Sequence, residues 1–108
     1  MNWMRQQKPL PDLFTMKILI KYSAQLRTAL QLAEETVELQ PTARLSELLL
    51  HLAERHEAGR PHLLNAKGTF QASLLIVVNE SAVAASDAAA WKLKDGDVVL
   101  LLPPIAGG

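Results

Sequence analysis

The residues of this chain whose types and spacing best suit chemistry are its last six, Pro103-Pro104-Ile105-Ala106-Gly107-Gly108. Paired glycines are a poor choice for stability, because each has much conformational freedom to lose on ordering. They nevertheless follow almost directly on an apolar run, Val98 to Leu102. Pro103 and Pro104 favour an extended, polyproline-like path, and six extended residues reach up to roughly 20 Å. Lacking Cβ atoms, Gly107 and Gly108 can pass through a narrow channel in a partner and present the Gly108 α-carboxylate inside it. Pro103, Pro104, Ile105, Ala106 and Gly107 are then the threading segment and Gly108 the reacting one.

Other reactive side chains are less well arranged. His51 and His56 are five residues apart, about 140° around a helix, so one helix face cannot bring both to a metal. His62 adds no zinc-like spacing, and no metal site is expected. Asp95 and Asp97 flank Gly96, which turn chemistry explains better than an acid–base pair. Cysteine is absent, which excludes disulfides, thiolate nucleophiles and Cys-based zinc sites. The GxSxG, HExxH, GxxxxGK and GxGxxG patterns are missing. Lys17, Lys21, Arg27, Lys92 and Lys94 read as solvated charges, and Trp91 as a packing residue. No bound cofactor is expected.

Composition narrows the setting. The 108 residues are 49% hydrophobic and 20% charged, with eleven basic side chains balancing eleven acidic ones. That is one globular domain without the basic footprint of a nucleic-acid binder. No apolar run approaches the roughly 18 residues of a membrane span. The first fifteen residues lack the apolar stretch of a secretory signal, so a cytoplasmic location is expected.

The elements that must position the tail follow from hydropathy. Residues 1–15 read as an irregular extension, broken by Pro9 and Pro11. Ile18, Ile20 and Tyr22 alternate with Lys17, Leu19 and Lys21, the period of a half-buried strand. A second strand fits Glu35 to Leu39, and Ser23 to Glu34 between them reads as an extended loop. Thr42, after Pro41, is expected to cap the one convincing helix, with Leu45, Leu48, Leu49 and Leu52 on its buried face. Gly59 supplies a left-handed stop and Pro61 prevents continuation. Arg60 to Ser73 is a long connection with a turn at Asn65-Ala66-Lys67-Gly68. Leu74 to Val78 is a strand, Asn79-Glu80 a turn, and Ser81 to Ala84 a short returning strand. Ser86 to Trp91 suits one helical turn, Asp95-Gly96-Asp97 a tight turn, and Val98 to Leu102 the last strand. This order is α+β: a mixed sheet of four to five strands with one main helix on one face, the β-grasp layout. The domain spans residues 16–102, and residues 103–108 form an exposed tail.

Leu74 to Val78 and Val98 to Leu102 are apolar at every position, so one helix cannot cover both their faces. Either Leu75, Val77, Val99 and Leu101 or their neighbours Leu74, Ile76, Val78, Val98, Leu100 and Leu102 need a second cover. One account makes these central parallel strands, covered by the long connection and the N-terminal extension. The other takes Leu75, Val77, Val99 and Leu101 as a partner surface beside the tail.

The segment Leu93-Lys94-Asp95-Gly96-Asp97-Val98-Val99-Leu100-Leu101-Leu102-Pro103-Pro104-Ile105-Ala106-Gly107-Gly108 resembles the ending of the MoaD/ThiS sulfur carriers, above all the small subunit of molybdopterin synthase. Val77-Val78-Asn79-Glu80 and the opening Met16-Lys17-Ile18-Leu19-Ile20-Lys21-Tyr22 resemble that family as well. The extension before Met16 has no family counterpart, and the 60–73 connection is longer than in compact members. The resemblance implies a ubiquitin-like β-grasp fold and a carrier that is no enzyme on its own. An E1-like adenylyltransferase would spend ATP to turn the Gly108 carboxylate into an acyl adenylate, and a sulfur donor protein would displace AMP to leave a thiocarboxylate. The molybdopterin synthase large subunit would accept the tail and supply the active-site side chains. The alternatives are a carrier for thiamine, cysteine or tRNA thiolation, a ubiquitin-like modifier, or an interaction module without tail chemistry.

Overall fold

A computed structural model describes residues 15–103 of the chain. Strand β1 (Met16–Tyr22) buries Met16, Ile18, Ile20 and Tyr22 and exposes Lys17 and Lys21. The next segment is not the loop its sequence suggests but helix α1 (Ala24–Leu30), with Leu26 buried beneath it. Its end is closed by Gln31 in the left-handed region, at φ 52°. The Leu32 N–H donates to the Arg27 carbonyl and the Gln31 N–H to that of Thr28. This closure normally uses glycine, so no glycine announced it.

Strand β2 (Glu34–Leu39) runs antiparallel to β1, with Val37 opposite Ile18 and Glu35 opposite Ile20. Helix α2 (Leu45–Arg55) buries Leu45, Leu48, Leu49, Leu52 and Ala53, the expected face and one residue more. Its start differs: Arg44, not Thr42, is the cap residue, and the Glu47 carboxylate accepts from the Arg44 N–H at 3.2 Å. The free amides of Leu45 and Ser46 donate to the carbonyls of Trp91 and Ala88, at 2.9 and 3.1 Å. A distant turn, rather than a local side chain, therefore satisfies the helix start.

The chain does not stop at Gly59. A 3₁₀ turn (Glu57–Gly59) leads into the short helix α3 (Arg60–Leu63), where Pro61 occupies the first turn and needs no N–H partner. Gly59 has φ −89°, not a left-handed value. A Cβ there would stand 3.0 Å from Cδ2 of Leu30 and 3.1 Å from Cδ1 of Leu26, so its bareness lets α1 approach closely. The Asn65–Gly68 turn forms as read, with the Asn65 carboxamide oxygen accepting from the N–H groups of Lys67 and Thr69.

Strands β3 (Leu75–Val78) and β4 (Ser81–Ala84) make a hairpin through Asn79 and Glu80, both at positive φ (47° and 76°), the twist that two-residue hairpins favour. A 3₁₀ turn (Ala85–Asp87) precedes the last strand, β5 (Val98–Leu102). The sheet order is β2-β1-β5-β3-β4. β5 lies at the centre, parallel to β1 and antiparallel to β3, so the two all-apolar strands are not a parallel pair. The result is the expected mixed, ubiquitin-like α+β sheet, with α2 as the main helix over one face.

Candidate functional site

Strand β5 is the last element before the C-terminal residues, and its surroundings fix its own end. Val99 and Leu101 are wholly inaccessible, and Pro103, in the same alternation, is buried too. Pro103 thus belongs to the folded body and not to an exposed tail. Pro104, Ile105, Ala106, Gly107 and Gly108 lie outside the described residues, as do residues 1–14 of the extension. Beside the end of β5, Ser23 Oγ donates to the Leu101 carbonyl at 3.1 Å, and Tyr22 stands in register with Leu101.

The Tyr22 ring leads into a cluster that joins β1, β2 and the end of α2. Its hydroxyl donates to Oε2 of Glu35 at 2.6 Å, and His56 Nε2 contacts the same oxygen. Arg55 Nε reaches the other oxygen at 3.1 Å. Burial first, then the hydrogen bond to Glu35 and the charge of that carboxylate, push the Tyr22 hydroxyl well above its ordinary pKa, against a smaller opposing effect of Arg55. These contacts hold the acid and the imidazole in a structural clasp. Sequence reading placed Glu35 on a strand and Asn79 in a turn but missed their side-chain contacts, because the partners lie on other elements.

The Asp95-Gly96-Asp97 turn is equally structural. The Lys17 N–H donates to Asp95 Oδ1 at 2.8 Å, and the Gly96 N–H donates to the Lys17 carbonyl at 2.8 Å. Gly96 takes φ +86°, which favours glycine. Asp97, only 7% accessible, accepts from Asn79 Nδ2 at 2.7 Å and from the Lys94 N–H at 2.8 Å. Asn79 in turn accepts from the Val98 N–H at 2.9 Å. This clasp fixes the start of β5, hence the register that carries the strand to its end.

The helix-free face of the sheet corrects the expected partner surface. Leu75 is 47% exposed and Val77 half-buried, but Val99 and Leu101 point into the core. The reason is register: antiparallel pairing sets Val77 opposite Leu100 and Leu75 opposite Leu102. Residues directly opposite share a face, so the odd positions of β3 go with the even positions of β5. The open face therefore carries Leu75, Val77, Val98, Leu100 and Leu102. A shallow depression of about 460 Å³ lies there, lined by Lys21, Val77, Asn79, Glu80, Val98 and Leu100.

Among the described residues, no group of three His, Asp or Glu side chains could hold a metal ion, and no helix is long and apolar enough to cross a membrane. Lys17, Lys21, Arg27, Lys92 and Lys94 are exposed, and Trp91 packs at the edge of the core.

The sequence profile of the ThiS family matches residues 20–108. Among solved structures, the HVO 2177 protein of Haloferax volcanii is 25% identical, with a TM-score of 0.77 over 94% of each chain. A candidate molybdopterin converting factor subunit 1 from Pyrococcus furiosus is 30% identical, with a TM-score of 0.65, over 83% of this chain and 99% of that one. A chain of the BexX/CysO complex of Amycolatopsis orientalis is 27% identical, with a TM-score of 0.59, over 84% and 99%. No curated protein matches the sequence.

Proposed function

The chain belongs to the ThiS family of ubiquitin-like sulfur carriers and modifiers, and from that premise we propose that its working group is the Gly108 carboxylate. A carboxylate is a poor electrophile until one oxygen becomes a good leaving group. An E1-like adenylyltransferase would supply this by joining the carboxylate to the AMP moiety of ATP, releasing pyrophosphate. The terminal sulfur of a donor protein's persulfide would then attack the carbonyl carbon, and AMP would leave. A thiol would cleave the resulting acyl disulfide, so that the donor's own sulfur departs in a new disulfide and Gly108 ends in a thiocarboxylate. The folded body is the handle: its helix-free face docks partners while the tail enters their active sites.

We favour the small-subunit role in molybdopterin synthase, in which the sulfur passes to a pterin precursor bound by the large subunit. The observation that carries this choice is the 30% identity to the molybdopterin converting factor subunit, which extends over 99% of that chain. The Pro103-Pro104-Ile105-Ala106-Gly107-Gly108 ending supports it. A cytoplasmic setting goes with the proposal.

The test is reconstitution. Thiocarboxylated chain mixed with a molybdopterin synthase large subunit and the pterin precursor is expected to form the dithiolene and return with a plain carboxylate. Retention of the thiocarboxylate there, with release to a different acceptor such as a thiamine or cysteine precursor, would move the protein to another pathway. Lysine-linked adducts in place of sulfur transfer would make it a modifier.

A further inference from the structure

Strand register divides the helix-free face into two unlike halves. One row of directly opposite residues crosses the whole sheet: Glu34, Lys21, Leu100, Val77 and Ala82, on β2, β1, β5, β3 and β4 in turn. A second row sets Leu102, Leu75 and Ala84 side by side. Residues directly opposite share a face. The β2–β1 half is therefore charged, with Lys17 also opposite Glu38, and the β5–β3–β4 half is apolar. Within the apolar half the bulk is graded, with leucines on β5, alanines on β4 and β3 between them. Leu75, Ala82 and Ala84 are exposed, and Val77, Leu100 and Leu102 are half-buried.

A surface graded in this way is complementary to itself. A two-fold axis lying in the plane of the face along β3 sets Val77 on Val77, Leu100 on Ala82 of the other copy, and Leu102 on Ala84. Large side chains thus meet small ones on both sides of the axis, across the roughly 10 Å that separates packed sheets. The same rotation places Lys21 of each copy one strand spacing, about 4.8 Å, outside β4 of the other and level with Ala82. Glu80 lies two residues from Ala82, on the rim of the depression that Lys21 also lines, so base and acid meet twice. We infer that two copies of this chain associate through the apolar half of the face as an isologous dimer. Three short strands cover less than the roughly 800 Å² per partner of a standard interface, so the association is weak and reversible. The dimer does not depend on the proposed function, but its consequence rests on that reading: a partner docking on the same face competes with the second copy.

The test is sedimentation equilibrium of the full-length chain over rising concentration. The mean mass should climb from one chain toward two between micromolar and millimolar protein. Val77→Glu, at the axis, should abolish the rise, whereas Leu50→Glu, on exposed α2 surface, should leave it unchanged. If Val77→Glu loses cooperative unfolding, Leu75→Glu takes its place at a more exposed position of the same strand. Charge reversal reads the two-fold arrangement independently. Lys21→Glu and Glu80→Lys should each weaken the dimer about tenfold, and the double variant should recover it. A mass of one chain at every concentration overturns the inference, as does association that survives the sheet-face substitution. A double variant no stronger than the single ones overturns it too. Growth past two copies would mark a head-to-tail contact and also overturn it. Failure of sulfur loading would leave this result untouched and would count only against the proposed function.

Discussion

Tyr22 is the chain's one tyrosine, so phenolate absorbance reports on it alone. Its pKa is raised from the ordinary 10.0 by burial and by the hydrogen bond to Glu35. The folded state therefore holds a proton that the unfolded chain releases. The stabilisation is complete below about pH 10 and is lost as pH climbs above it. In an alkaline titration, phenolate absorbance should rise only together with loss of the folded circular-dichroism signal. Ionisation near pH 10 in a still-folded chain would contradict the burial argument. Asn79 gives a second residue-scale expectation, since it bonds both Asp97 and the Val98 N–H. Asn79→Ala leaves the buried Asp97 short of a donor and should cost about 1–3 kcal/mol. Urea unfolding reads this directly, and an unchanged midpoint would show that the clasp contributes nothing.

At the scale of elements, the two faces of β5 differ sharply in what they tolerate. Val99→Asp puts a charge into the core and should cost several kcal/mol, a large part of the roughly 5–15 kcal/mol that holds such a domain together. Leu100→Asp, one residue on, should change stability by less than about 1 kcal/mol and should abolish association with a partner of the open face. Equal destabilisation by both would refute the assigned register. Gly59→Val tests the α1 contact: its side chain would meet Leu30 and Leu26, and a loss of about 1–3 kcal/mol is expected. The same elements explain what could be read in advance. Strong alternation revealed β1, repeated leucines revealed α2, and Asp95-Gly96-Asp97 revealed its turn. What stayed hidden depended on distant residues or disguised chemistry. The α1 closure uses Gln31 where glycine is usual, the α2 start is satisfied by the carbonyls of Ala88 and Trp91, and Gly59 serves packing. The face of Val99 could not be read at all from apolar runs, because alternation carries no phase when every position is hydrophobic.

Taken as a whole molecule, the chain has a five-stranded sheet whose central strand precedes the end proposed to react. The Asn79–Asp97 clasp sets the start of central β5, and buried Leu101 and Pro103 hold its finish. In the proposed function, chemistry is left to the last residues. Deleting Gly107 and Gly108 should accordingly leave the unfolding midpoint unchanged while ending every reaction of the tail. The most direct measurement is the intact mass of the full chain after incubation with ATP, an E1-like adenylyltransferase and a sulfur donor, followed by fragmentation to place the change. The expected result is the mass gain of one oxygen replaced by sulfur, located on Gly108, and no gain in a form with one extra, untrimmed residue after it. An unaltered mass under conditions that load an authentic sulfur carrier, or equal loading of the extended form, would contradict it.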